Sequence, residues 1–97
     1  MSLIILLTVR VRKEIKVVKL YEGTEILKKG LFNSFEKLSE IMIPETLKEI
    51  ESESINNCLK LERLILPDSI QTMHKKSITK CQSLRKIKCK QELLKYI

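Results

Sequence analysis

Few residues in this 97-residue chain are of types that could do covalent or acid–base chemistry, and their spacing argues against it. His74 is the single histidine. A general base or metal ligand at this position needs Cys, Asp or Glu neighbours at ligand spacing, and Lys75 and Lys76 follow it instead. A solvated turn residue is the better reading. Glu49, Glu51 and Glu53 alternate, which suits a wetted edge more than a buried acid–base pair. Cys58, Cys81 and Cys89 form no CxxC pair, and three is an odd number for a disulfide framework. Gly23 and Gly30 are the only glycines, too few for a phosphate-cradling loop. These residues point away from catalysis, and no cofactor or metal is expected.

The charge carries more information. Formal net charge is +7. Residues 67–97 hold eight basic against two acidic side chains, while residues 44–66 hold three against five. The basic excess lies in Lys75, Lys76, Lys80, Arg85, Lys86, Lys88, Lys90 and Lys95. A polyanion or an acidic protein segment would be attracted to this end. Nucleic acid is the weaker form of that idea, because arginines are few and no aromatic residues are interleaved to stack on bases.

The elements that position these residues follow from a repeat. Pro44–Leu66, reading PETLKEIESESINNCLKLERLIL, is followed without a gap by Pro67–Cys89, PDSIQTMHKKSITKCQSLRKIKC. Five positions 23 residues apart are identical: Pro44/Pro67, Ser54/Ser77, Ile55/Ile78, Cys58/Cys81 and Leu61/Leu84. The preceding Tyr21–Ile43 places Leu27, Phe32, Phe35, Leu38, Ile41 and Ile43 in the same columns. Self-similarity at this period signals stacked structural units, each of which must hide its apolar face against the next.

Within a unit, the near alternation of Leu64 and Leu66 with Arg63 and Ile65 reads as a short strand. Pro44 and Pro67 then end the ladder and turn the chain. A segment around Leu47 and Ile50 crosses back, and Ser54, Ile55 and Cys58 at i, i+1, i+4 read as a short helical turn. Cys58 and Cys81 share a column, which favours buried thiols over a bridge. A helical bundle is the rival. It is disfavoured by the repeat prolines and the strand-like IMI, LIL and IKC endings.

One repeat domain over 1–97 is therefore expected, with units at 21–43, 44–66 and 67–89 and a partial unit at 90–97. Residues 1–20 are either a degraded first repeat or a cap. Their β-branched Thr8, Val9, Val11, Ile15, Val17 and Val18 read as strand, and Ile4, Val9, Ile15, Val18 and Leu20 fall on core columns. The apolar run Leu3–Leu7 is too short to span a membrane, which takes about 20 residues. It also lacks the flanks of a secretory signal. Reduced thiols favour a cytoplasmic setting slightly, although buried thiols also survive outside. At the other end, Leu93, Leu94, Tyr96 and Cys89 are expected to be exposed, so that end-to-end self-association or a longer array would hide them.

The unit P-x-[ST]-[LI]-x-x-[IM]-x-x-x-S-I-x-x-C-x-x-L-x-x-[LI] over residues 44–64 and 67–87 resembles the BspA-type leucine-rich repeat. The family's glycine after the first Ile is Lys28, Glu51 and His74 here, and its alanine column is Leu31, Ser54 and Ser77. Its phenylalanine column keeps Phe32 but has Ile55 and Ile78. The resemblance implies an α/β leucine-rich-repeat solenoid with a parallel β-ladder and short helical segments. It also implies a binding scaffold of the kind found in surface-associated or adhesive microbial proteins, with no catalytic residues to transfer.

The expected function is a non-enzymatic protein-interaction module. Its contact positions are the outward strand residues Glu40, Met42, Arg63, Ile65, Lys86 and Lys88. Two alternatives stand beside it: a basic module for anionic polymers (glycosaminoglycan-like or nucleic acid), and an inactive truncated repeat paralogue.

Overall fold

The computed structural model describes residues 9–97, the side chains of 9–11 excepted. The chain winds as a parallel β-solenoid whose coils each contribute three very short strands. The first face holds β1 (Val17–Lys19), β4 (Glu40–Met42), β7 (Arg63–Ile65) and β10 (Lys86–Lys88). The second holds β2 (Ile26–Leu27), β5 (Glu49–Ile50) and β8 (Thr72–Met73), and the third β3 (Phe32–Asn33), β6 (Ile55–Asn56) and β9 (Ile78–Thr79). Every pairing is parallel, and every partner lies 23 residues on, as in Val18↔Ile41, Ile50↔Met73 and Ile55↔Ile78. The sequence period is thus the rung spacing, about 4.8 Å in a parallel ladder.

The core is a set of vertical columns. Val18, Ile41 and Leu64 stack behind the first face, Leu27, Ile50 and Met73 behind the second, and Phe32, Ile55 and Ile78 behind the third. Leu38 and Leu61 are fully buried between faces, whereas Leu84, the next in their column, is only partly buried. After each first-face strand, Leu47 and Ile70 close a turn onto the carbonyls of Pro44 (3.2 Å) and Pro67 (3.4 Å). The prolines therefore end the strand as their missing N–H requires.

Two sequence expectations change here. The crossing segment is itself strand (β5), and the helical turn expected at Ser54, Ile55 and Cys58 is strand β6 between two corners. The corners are left-handed: Gly30, Glu53 and Lys76 have φ of 76°, 54° and 59°, and Ser34, Asn57 and Lys80 have φ of 59°, 58° and 54°. Each corner resets the side-chain alternation, so Ser54 and Ile55 both turn inward and Cys58 turns inward again after Asn57. A pair of αL corners thereby produces the same i, i+1, i+4 pattern as a helical turn. The buried Ser54 hydroxyl satisfies the corner by donating to the Leu27 carbonyl of the previous coil (2.9 Å), with the Glu51 carbonyl also in reach. Side chains ladder along the third face: Asn56 Nδ2 donates to Asn33 Oδ1 (3.1 Å), and Thr79 Oγ1 to Asn56 Oδ1 (2.7 Å).

The αL state costs an L-residue about 1–2 kcal/mol, against roughly 0.5–1 kcal/mol of extra chain entropy for glycine. Glu53→Gly and Lys76→Gly are therefore each expected to stabilise the chain by a few tenths to about 1 kcal/mol. Gly30→Ala is expected to destabilise it comparably, with no steric clash because nothing lies within 4 Å of the added Cβ. Urea unfolding of the three variants checks both signs.

At the start, Val9–Glu14 is an α-helix, where strand was expected from its valines. Thr8 and Ile4 lie outside the described residues. β1 begins only at Val17, in register with β4. At the other end, Gln91–Tyr96 is a 3₁₀ helix that buries Leu93 to 5% exposure and leaves Leu94 52% exposed. Leu93 is therefore not the exposed residue the sequence suggests, and Cys89 and Tyr96 are partly buried.

Candidate protein-binding face

The outward residues of the first face fall into two rows. Pairing places Val17, Glu40, Arg63 and Lys86 in one, and Lys19, Met42, Ile65 and Lys88 in the other. All six positions expected from sequence lie on this one face, at neighbouring rungs. Val17 and Lys19 extend it, and the sequence contains their signal: placing Val18 on a core column requires its two neighbours to point outward. Exposed apolar side chains recur along the rows, Val17 at 52%, Met42 at 47% and Ile65 at 54%. Glu40, Met42, Arg63 and Ile65 rim a shallow depression of about 240 Å³. Beside it runs a second basin of about 640 Å³, lined by Lys16, Lys37, Ser39, Lys60, Glu62, Ser83 and Arg85. The combination is an apolar seam edged by charge, which suits a folded or extended protein surface better than a small substrate.

The residues first weighed for chemistry are dispersed. His74 does find a carboxylate: its Nε2 lies 2.7 Å from Glu49 Oε2 on the preceding coil. The sequence hides this pair because its members are 25 residues apart, one period plus two. Glu51 instead accepts from the Lys29 amide (2.9 Å), and Glu53 occupies an αL corner. Among the described residues no group of His, Cys, Asp and Glu is arranged to hold a metal.

The cysteines are all free, with Cys58 buried and Cys81 partly so. Cys58 and Cys81 are neighbours in one column of adjacent coils, the Cys58 thiol donating to the Phe32 carbonyl (3.1 Å) and the Cys81 thiol to the Thr79 carbonyl (3.3 Å). Hydrogen bonding of the neighbouring Cys58 thiol to the Cys81 thiolate draws Cys81 from the ordinary 9.0 down to about 7, against the opposing effect of burial. Its Cys81 neighbour, then burial, push Cys58 far above the ordinary thiol range. Burial also raises Cys89. A depressed pKa means more thiolate at neutral pH, so Cys81 is expected to alkylate first, with its rate rising through pH 7. Cys58→Ala removes the donor and should move that midpoint toward 9. At pH 7 the thiolate fraction then falls about 50-fold, partly offset by the greater nucleophilicity of a more basic thiol, for a net loss of roughly fivefold. Iodoacetamide labelling followed by peptide mass spectrometry reads the difference.

A family model described as "BspA type Leucine rich repeat region (6 copies)" matches residues 11–97. The chain belongs to this family. Neither a curated protein nor a solved structure matches it. In this BspA-type leucine-rich-repeat protein the family pattern starts inside the helix Val9–Glu14 and runs through the 3₁₀ helix, so it includes all four first-face strands. No helix among the described residues is long and apolar enough to cross a membrane.

Proposed function

We propose that this chain is a non-enzymatic protein-interaction module that holds its partner against the first face. One observation carries the reading: four in-register rungs present Val17, Met42 and Ile65 outward, bordered by Glu40, Arg63, Lys86 and Lys88. Exposed apolar side chains gathered on one charge-edged face mark recognition surfaces. Membership of a leucine-rich-repeat family, whose solenoids commonly serve protein interaction, supports it.

The test is a pull-down from the source cell with the wild-type chain and with Arg63→Glu/Ile65→Glu, both positions being exposed. A partner retained by the wild type and lost, by at least tenfold, from the variant is the expected result. Equal retention would refute the role of this face.

The basic excess of residues 67–97 favours a second reading, a module for anionic polymers. Lys86→Glu/Lys88→Glu then separates the two. If polyanion binding dominates, the slope of log affinity against log salt on heparin falls by about two. Loss of heparin binding with protein binding intact would reverse the order of the two readings. End-to-end self-association through Leu94 and Ile97 is a further partner proposal, and light scattering at high concentration distinguishes it from a monomer.

A further inference from the structure

The basin beside the first face carries a charge pattern that the strand rows do not. One column along it runs Lys16, Ser39, Glu62, Arg85, and the neighbouring column sets Lys37 and Lys60 on successive coils. Followed along the solenoid, each coil supplies one cation: Lys16, then Lys37, then Lys60, then Arg85. At one rung per coil this track runs about 14 Å along the solenoid axis. The backbone beneath it is fixed from coil to coil. The Ser39 amide donates to the Lys16 carbonyl (2.8 Å), Glu62 to Ser39 (3.4 Å) and Arg85 to Glu62 (3.0 Å). The attachment points of the cations therefore keep their order and spacing, and binding has only side chains left to order. Lys37 shows what the track accepts, since its Nζ lies 3.1 Å from the Glu14 carboxylate. Lys16, Lys60 and Arg85 enter no ion pair among the described residues. Glu62 is the only acidic side chain lining the basin.

We infer that this basin binds an acidic, extended segment of a protein partner, laid along the solenoid axis with its carboxylates toward Lys16, Lys60 and Arg85. An extended chain rises about 3.3 Å per residue and turns alternate side chains to one side, about 6.6 Å apart. The track therefore takes about four to five residues, two or three of them Asp or Glu. Charge complementarity selects this chemistry, since a basic segment is repelled by four cations set against one carboxylate. Three observations favour a protein segment over a polymer charged at every unit. Glu62 repels an unbroken row of anions but fits a gap between spaced carboxylates. No aromatic side chain lines the basin to stack on bases. Lys16, Ser39, Glu62 and Arg85 directly precede Val17, Glu40, Arg63 and Lys86, so a partner on the first face reaches the basin without a break. In this last respect the inference rests on the protein-interaction reading, and it adds the chemistry of that partner.

The probe is a fluorescent eight-residue peptide of alternating Ser and Glu, with its Ser–Lys counterpart, titrated into the full chain and followed by anisotropy. Expected are binding of the acidic peptide alone and at least tenfold weaker binding to Lys16→Glu/Lys60→Glu. Both residues are exposed, and Glu already stands in each column, as Glu62 and Glu14 respectively, so that variant keeps the fold. Lys75→Glu/Lys95→Glu makes the same change of net charge on a different surface, and it should weaken binding less than about threefold. The titration uses no partner from the pull-down, so failure of the basin and failure of the first face are distinguishable. No binding, binding of both peptides alike, or equal loss in the two double variants would overturn the proposal. So would a heparin oligosaccharide of matched charge that displaces the peptide and loses affinity for the same basin variant, because an anionic polymer would then be the occupant.

Discussion

Phe35→Ala is expected to cost about 3–5 kcal/mol, among the largest losses of any single truncation of the described residues. Phe35 is fully buried and packs edge-on against Phe32, with ring centroids 5.4 Å apart at 77°. These are the only two phenylalanines, and the chain has no tryptophan, so the core is otherwise aliphatic. Truncation removes the ring's transfer free energy, forfeits an aromatic pair of about 0.5–1.5 kcal/mol and leaves a void. The void cannot collapse readily, because the ladders on either side hold the coils at a fixed spacing. Phe35 shares its column with Cys58 and Cys81, whose smaller side chains cannot fill the space it leaves. With a typical domain stability of 5–15 kcal/mol, the loss is a large share of the total, and the variant is expected to unfold at a much lower urea concentration. Urea denaturation at low temperature measures the difference, and a loss under about 1 kcal/mol would show that the ring is not where the fold places it.

Leu61→Ala is expected to cost about 2–5 kcal/mol, and Leu84→Ala less than half of that. The two leucines occupy one column and look equivalent in the repeat. Leu61 lies between coils and is fully buried, whereas Leu84 is in the last coil and only partly buried. The truncated methyls of Leu61 leave a closed cavity, while those of Leu84 leave a notch that water or a small shift can fill. The ratio of the two losses is therefore more informative than either value. Equal costs would mean that Leu84 is covered as thoroughly as Leu61, which the described fold does not allow.

The stacking and the outward rows of the first face were legible in the sequence for the same reason. A parallel ladder with one rung per 23 residues converts vertical neighbours into repeated columns, so Ile41 and Leu64, or Arg63 and Lys86, can be aligned by counting. The strand expectation over 63–66 followed from alternation, and β7 spans Arg63–Ile65. What counting cannot reveal is backbone conformation at the corners. Glu53 and Lys76 are ordinary surface residues by type, yet they take left-handed φ, and this turned an expected helical turn into strand β6. The valines of Val9–Glu14 misled in the opposite direction: β-propensity mostly measures fit to a half-buried sheet, and this segment forms a helix instead. The His74–Glu49 contact escaped because a contact across coils joins positions with no local signature.

The most direct test of the stacked-coil account is a methyl NOESY spectrum of the full chain labelled at Ile, Leu and Val. Contacts between Leu38 and Leu61, between Ile41 and Leu64, and between Ile55 and Ile78 are the predicted result, each linking residues 23 apart. Methyl contacts that instead pair residues symmetrically about a turn, with Leu38, Leu61 and Leu84 in separate environments, would contradict it.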